Sequence, residues 1–143
     1  MKAAFEIIEH PADVGFRAHG ATLQELFQNS ALAMLSLGCA PEGVKELERR
    51  EIAARAADLE SLLFSWLAEI LAVGDAEQLV FCRVEVLHVT PSDAGYEVVG
   101  TVYGEKFDRE RHTAGTYIKA VTYHQLCVEL MEGGWLAQVF LDV

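Results

Sequence analysis

Two aspartates near opposite ends of the chain have the chemistry of cation ligands. Asp13 lies in the segment HPADVG, and Asp142 follows an apolar run in the segment VFLDV. Calcium and magnesium are hard cations that bind several oxygen ligands, preferably anionic ones. If the last strand ran beside the first, Asp13, Asp142 and an oxygen of Val143 would supply such ligands. The spacing leaves open the alternative that Asp13 caps an Asx-type turn and that Asp142 is simply solvated.

A lysine in an apolar run is the second candidate functional group. Lys119 lies within the segment TAGTYIKAVTYHQLCVEL. It either extends its ammonium to solvent from a strand or directs it at a specific partner. Alternate residues of a strand share a face, so a strand here would place Lys119 with Tyr117 and Val121, and Ile118 with Ala120 on the other side.

Three histidines could add polar or protonatable groups to the same site. His10 directly precedes the HPADVG turn, although a histidine there can equally be a hydrogen-bonded structural residue. His112 ends the charged segment GEKFDRERH, for which the alternative is a solvated connection. His124 follows Lys119 in the apolar run.

The sequence gives little support to a self-sufficient enzyme. It contains no GxSxG elbow, P-loop, GxGxxG or HExxH motif, and Ser61, Ser65 and Ser92 have no evident base partner. The formal net charge of −11 argues against direct binding of a phosphate backbone, which requires lysines and arginines. The same charge suits a basic protein partner or a bound cation.

Size and composition predict one cytoplasmic domain spanning residues 1–143. An apolar fraction of 52% in 143 residues is sufficient for a core. Cys39, Cys82 and Cys127 form no CxxC pair, so we expect buried, reduced thiols. The N-terminus lacks the apolar core of a signal peptide, and no apolar run reaches the roughly 18 residues that span a bilayer.

The elements that must position these groups follow from hydrophobic periodicity. The segments AAFEIIE and VGFRAHG predict strands on either side of HPAD. A helix is predicted over residues 22–38, with a Thr22–Glu25 capping box and Gly38 at its end, and a second over 58–74 with Asp58 as its cap. Residues 44–57 fit either a helix or an exposed strand.

The rest of the chain is strand-like. The segments LVFCRVEVLHV and GYEVVGTVYGE predict one hairpin, and LCVELM and LAQVFLDV predict another around EGG. This order of elements predicts an α+β domain of two layers, with a mixed or antiparallel sheet and both helices on one face.

Read together, these segments strongly resemble the archease family. HPADVG, then DLESLLFSWLAEIL, then YIKAVTYHQL and a final DV occur in the family's order over nearly the whole chain, with GEKFDRERH before the lysine segment. Each piece alone is weak, but the combination is specific. Two positions depart from the family pattern: Pro11 replaces the usual threonine, and Tyr117 stands where an acidic residue often precedes Ile-Lys-Ala.

The resemblance implies an accessory protein of tRNA splicing. Archeases activate the RtcB-type RNA ligase, which joins RNA ends carrying a 2′,3′-cyclic phosphate or 3′-phosphate to 5′-hydroxyl ends. They promote guanylation of the ligase's active-site histidine and support multiple turnover. RNA would be reached only through the ligase, and no membrane would be involved.

The resemblance also implies a divalent cation, namely calcium, with magnesium or manganese as alternatives. Its ligands carried over to this sequence are Asp13, Asp142 and a main-chain oxygen of Val143. The family's important lysine corresponds to Lys119, which would emerge beside these carboxylates and pair with them. The competing hypothesis is a free-standing, metal-dependent phosphoesterase for RNA ends, with His112 or His124 as acid or base.

Overall fold

A computed structural model describes residues 4–9 and 13–143 of the protein. Within these residues the chain forms two α-helices and eight β-strands, and a single 3₁₀ turn at Pro41–Gly43 follows the first helix. In chain order they are β1 (Phe5–Glu9), β2 (Asp13–Gly20), α1 (Leu23–Gly38), β3 (Glu48–Ala56), α2 (Leu59–Glu77), β4 (Leu79–Ser92), β5 (Gly95–Lys106), β6 (Ala120–Val121), β7 (Cys127–Met131) and β8 (Gly134–Asp142).

The strands form two antiparallel sheets. The first has the order β1-β2-β8-β6, and β7 also pairs with β8, on the same edge as β6 but nearer the start of β8. The second has the order β3-β5-β4. The predicted α+β class is confirmed, although the strands divide between two sheets where a single sheet was expected. Each helix contacts strands of both sheets, so one hydrophobic core joins them.

Side-chain caps begin both helices where the sequence predicts. Thr22 Oγ1 accepts the Glu25 N–H at 3.2 Å, and Asp58 Oδ1 accepts the Ser61 N–H at 2.7 Å. The first helix ends at Gly38, as predicted. The second continues past Gly74 to Glu77 and ends where Gln78 takes the left-handed conformation, with φ of 56°. Neither helix is long and apolar enough to cross a membrane.

The ambiguous segment 44–57 forms a strand. β3 pairs along its whole length with β5, and Ile52 is its fully buried residue. The flanking charged residues Glu51 and Arg49 remain exposed. Burial of alternate side chains against α2 therefore outweighs the helix propensity of this segment.

Both predicted hairpins are confirmed, but the segment around Lys119 does not form a regular strand. β4 and β5 meet across a two-residue turn, as do β7 and β8. Between residues 113 and 126, only Ala120–Val121 forms a strand. The rest of this segment hydrogen-bonds to other parts of the chain, which fixes its path without a regular sheet ladder.

The three cysteines are free thiols, as predicted. Cys39 is buried, and burial raises the pKa of its thiol. Cys82 and Cys127 are only half-buried, which corrects the expectation that all three are enclosed. Cys82 lies at an irregularity in the pairing of β4 with β5, and Cys127 is the first residue of a strand at the edge of its sheet.

Candidate functional site

The two predicted ligand aspartates lie opposite each other at one end of the first sheet. Asp13 begins β2 and is the antiparallel partner of Asp142 in β8. Ala120 of β6 pairs with Asp142 from the other side. Directly opposite residues of antiparallel strands project from the same face, with Cβ atoms about 4.5–5.5 Å apart. The last strand therefore does run beside the strand that Asp13 begins, as a shared site requires.

Packing of β2 against β8 fixes this register. Gly15 lies opposite Phe140, and a Cβ added to Gly15 would lie 2.6 Å from the Phe140 ring. Phe16 and Ala18 are fully buried, while Arg17 is exposed. A slip of one residue would bring Arg17 into the core. The pairing of Asp13 with Asp142 thus follows from packing along the whole of β2.

Asp13 belongs to the strand itself. Asp13 is the first paired residue of β2 and is half-buried, and the alternative that its side chain caps a turn involves residues 10–12, which lie outside the described residues. Asp142 is exposed and Val143 is half-buried. The carboxylates thus lie at the margin of the sheet, where solvent and a partner can reach Asp142.

Lys119 is attached to the same place by its backbone. The Lys119 N–H donates to the carbonyl oxygen of Asp142 at 2.8 Å, and its side chain is exposed. The expected alternation is wrong: Val121 is buried together with Ile118, and Ala120 is exposed with Lys119. The chain enters the two-residue strand from an irregular segment, so a regular two-residue period does not apply.

The expected pairing of the Lys119 ammonium with the carboxylates is also absent within the described part of the chain. None of the ion pairs there involves Lys119. The structure thus brings the backbones of Asp13, Asp142 and Lys119 together and leaves the lysine side chain extended into solvent.

The donor chemistry at this point fits a hard cation. Two like charges opposite each other on a sheet destabilise it, and a bound dication removes that repulsion. Among the described residues, no group of three or more His, Cys, Asp or Glu side chains is arranged to hold a metal ion. An ion at Asp13 and Asp142 would therefore need main-chain oxygens, such as that of Val143, and water as further ligands.

The three candidate histidines lie in different surroundings. His10 lies outside the described residues. His124 is exposed, and its ring packs against the Phe140 ring in a T-shaped arrangement with a centroid distance of 5.7 Å. This contact places His124 near the end of β8 that carries Asp142. His112 is held in the segment after β5, where its hydrogen bonds and ring contact involve Glu105, Asp108 and Phe107.

Glu105 is the centre of a second polar cluster, which the sequence did not distinguish from a solvated loop. Glu105 is buried in β5, and its carboxylate accepts the Lys45 N–H at 2.6 Å and His112 Nε2–H at 3.0 Å. It also accepts a hydrogen bond from the Arg111 guanidinium. The Asp108 N–H donates to His112 Nδ1, so the neutral ring carries its proton on Nε2. The expected solvated connection is thus wrong for Glu105 and His112.

This cluster predicts an acid-dependent loss of stability. The hydrogen bonds from the Lys45 N–H, His112 and Arg111 lower the pKa of Glu105 from 4.5 to about 2. A carboxyl whose pKa is depressed on folding stabilises the protein above its unfolded pKa, and this contribution disappears as the pH falls towards the folded pKa. We therefore expect the wild-type unfolding temperature to fall between about pH 4.5 and pH 2.

Glu105→Gln tests the origin of that fall. The amide would place N–H groups against existing donors, so the variant should unfold several degrees below wild type at pH 7 and lose less on acidification. Glu110→Gln, an exposed change in the same segment, is the matched control. Thermal unfolding followed by circular dichroism from pH 7 to pH 2 provides the comparison. If the unfolding temperatures of Glu105→Gln and wild type fell in parallel with pH, the acid-dependent loss of stability would not arise from Glu105.

Comparison with known proteins identifies relatives along almost the entire chain. Residues 5–143 match the model of the Archease protein family (MTH1598/TM1083). The protein archease of Methanosarcina mazei is 40% identical over 139 residues, which covers 97% of this chain and 95% of that protein. The protein archease of Pyrococcus abyssi is 39% identical over 140 residues, covering 97% and 98% respectively.

Solved structures show the same fold. The solution structure of Methanobacterium thermoautotrophicum protein 1598 has a TM-score of 0.87 and 35% identity, covering 98% of this chain and 99% of that one. The crystal structure of an archease from Thermotoga maritima, described as a possible chaperone, has a TM-score of 0.59. Its 21% identity, over 95% of this chain and 94% of that one, indicates a shared fold alone.

Proposed function

We propose that this chain, which belongs to the archease family, activates an RtcB-type RNA-splicing ligase in tRNA splicing and RNA repair. It promotes guanylation of the ligase's active-site histidine, so that each ligase molecule can complete many joining reactions. It has no turnover of its own and reaches RNA only through the ligase. The observation that carries the proposal is the convergence of Asp13, Asp142 and Lys119, the residues to which the motif resemblance assigns the family's functional roles.

The charges of the site suit work at the active site of another protein. A ligase that binds RNA needs a basic surface, and the net charge of −11 favours encounter with such a surface. Lys119 extends from the acidic protein into solvent beside the Asp142 backbone, where it can meet a phosphate or carboxylate of the partner. This accounts for a lone lysine at the edge of an otherwise apolar run.

The cation has a supporting role in this proposal. Asp13, Asp142 and a main-chain oxygen of Val143 would hold a divalent ion, for which calcium is our first choice and magnesium or manganese the alternatives. When bound, the ion supplies positive charge for orienting phosphate or carboxylate oxygens. The chain's own residues fix the end of β8 and direct Lys119 outward.

A ligation assay over several turnovers tests the proposal. The ligase is held limiting with an RNA substrate carrying a 2′,3′-cyclic phosphate, and this protein is added in substoichiometric amounts. We expect joined product well in excess of the ligase only when this protein is present. An unchanged yield would contradict the proposal. Opening of cyclic-phosphate ends by this protein alone would favour the competing phosphoesterase hypothesis.

A further inference from the structure

An apolar groove lies beside the segment that leads to Lys119. Its volume is about 430 Å³, which is within the usual range of ligand sites. The carboxyl ends of α1 and α2 form one side, and residues 114–118 form another. We call it the helix-end groove. Its apolar lining includes Met34, Leu35, Ile70, Leu71, Phe81 and Ile118.

Exposed aromatic side chains extend the groove onto the surface. Phe107 and Tyr117 line it and are 39% and 67% exposed. Exposed apolar patches of this kind are typical of interaction sites, protein–protein interfaces among them. Because Tyr117 and Ile118 immediately precede Lys119, a protein bound in the groove would also lie next to the lysine.

The electrostatics of the groove select a basic occupant. Of the described residues that line it, Asp75 alone is charged, and no ion pair or hydrogen bond within the described chain occupies its carboxylate. Neither helix has a basic residue in its last turn. The carbonyl oxygens of Leu37 and Gly38 at the end of α1 already accept N–H groups, so the partial negative charge that adds to Asp75 comes from the end of α2. Lys106 offsets part of this by donating to the Glu77 carbonyl oxygen from outside the groove.

The groove is also held in a fixed shape. The N–H groups of Gly115 and Thr116 donate to the carbonyl oxygens of Gly38 and Leu37 at 2.9 and 2.8 Å. A Cβ added to Gly115 would lie 2.3 Å from the Leu37 oxygen, so this close approach requires glycine. The wall that carries Tyr117 is therefore tied to the end of α1 before any partner binds, which lowers the entropic cost of docking.

We propose that the helix-end groove binds a segment of the partner ligase that presents one or two large apolar side chains beside an arginine or lysine. The apolar side chains fill the groove, and the basic residue pairs with Asp75. This inference rests on the proposed function, because the occupant belongs to the ligase. In this proposal the groove supplies affinity for the ligase, and Lys119 acts on guanylation of the ligase.

Filling the groove tests this directly. Gly38 lines it, and a Cβ added there meets no atom within 4 Å, so Gly38→Phe can place a ring in open space without disturbing the fold. Ala72→Phe puts the same side chain on an exposed site of α2 that does not line the groove. Asp75→Lys reverses the charge of the groove, and Asp93→Lys makes the same change in the exposed β4–β5 turn.

The measurements are the affinity of each full-length variant for the ligase by calorimetry, and ligase guanylation at saturating variant. We expect Gly38→Phe and Asp75→Lys each to raise Kd at least about tenfold, with both controls within about twofold of wild type. Gly38→Phe should still stimulate guanylation once saturating. Thermal unfolding of each variant verifies that it is folded.

The contrary outcomes are distinct. If wild type binds and stimulates the ligase while both groove variants bind equally well, the groove inference is overturned and the proposed function stands. If wild type neither binds nor stimulates, both are overturned. If Gly38→Phe instead changes the oligomeric state of this protein in sedimentation, the groove belongs to a second copy of the chain. That result also overturns the inference.

Discussion

Lys119→Ala is expected to reduce the stimulation of ligase guanylation at least about tenfold, while the fold remains intact. The side chain is exposed and makes no ion pair within the described residues, so its removal should change the free energy of unfolding by less than about 0.5 kcal/mol. The Lys119 N–H that holds the segment to Asp142 belongs to the backbone and survives the substitution. The loss would therefore arise at the contact with the ligase.

Two further variants make this result interpretable. Lys45→Ala removes the same charge from another exposed lysine and should stimulate like wild type. Among the described residues, Lys45 hydrogen-bonds only through its backbone N–H, which the substitution keeps. Lys119→Arg keeps the charge but changes its geometry, so partial activity is expected. Guanylation rates and thermal unfolding are measured for all three variants. Retained stimulation by Lys119→Ala would mean that this lysine serves only solubility.

The second large effect is loss of metal binding when both aspartates are removed. Wild-type protein stripped of metal should bind one calcium ion, and calcium at one hundred times its Kd should stabilise it by about 2.7 kcal/mol. The unfolding temperature would rise by several degrees. The Asp13→Ala, Asp142→Ala double variant should show neither binding nor this rise, because only main-chain oxygens and water would remain as ligands.

Calorimetric titration and thermal unfolding with and without calcium provide the two readouts. The double variant Asp58→Asn, Asp93→Asn is a useful comparison, because it also removes two negative charges but leaves the pair at the end of β8 in place. It should retain the calcium response, and asparagine can still cap α2, so only the favourable interaction of the Asp58 charge with the helix dipole is lost. Equal binding by wild type and the Asp13→Ala, Asp142→Ala variant would eliminate the proposed site.

Local sequence patterns predict most of the secondary structure. The caps at Thr22 and Asp58 and the two hairpins were predictable because each depends on residues close together in the chain. The strand at residues 48–56 remained ambiguous because its helix propensity conflicts with burial of Ile52. Division of the strands into two sheets could not be predicted, because it depends on which distant strands pair.

For the candidate site too, the sequence predicted which residues take part but not which distant residues they pair with. Sequence identified Asp13, Asp142 and Lys119 as candidates, but the pairing of β2 with β8 is set by contacts such as that of Gly15 with Phe140, over a hundred residues apart. Glu105 was missed for a related reason. One of its partners is the backbone N–H of Lys45, which carries no side-chain signal. The basic residues six and seven positions later, Arg111 and His112, were the available clue.

The most direct test of the proposed activation is formation of radiolabelled ligase–GMP from labelled GTP, with this protein absent, present as wild type, or present as Asp13→Ala. We predict rapid labelling of the ligase with wild type, and labelling near the unstimulated rate both without this protein and with Asp13→Ala. Since the proposed encounter is between opposite charges, added salt should reduce the stimulation by wild type. Equal labelling rates in all three reactions, with RNA joining still dependent on wild-type protein, would contradict the assigned step.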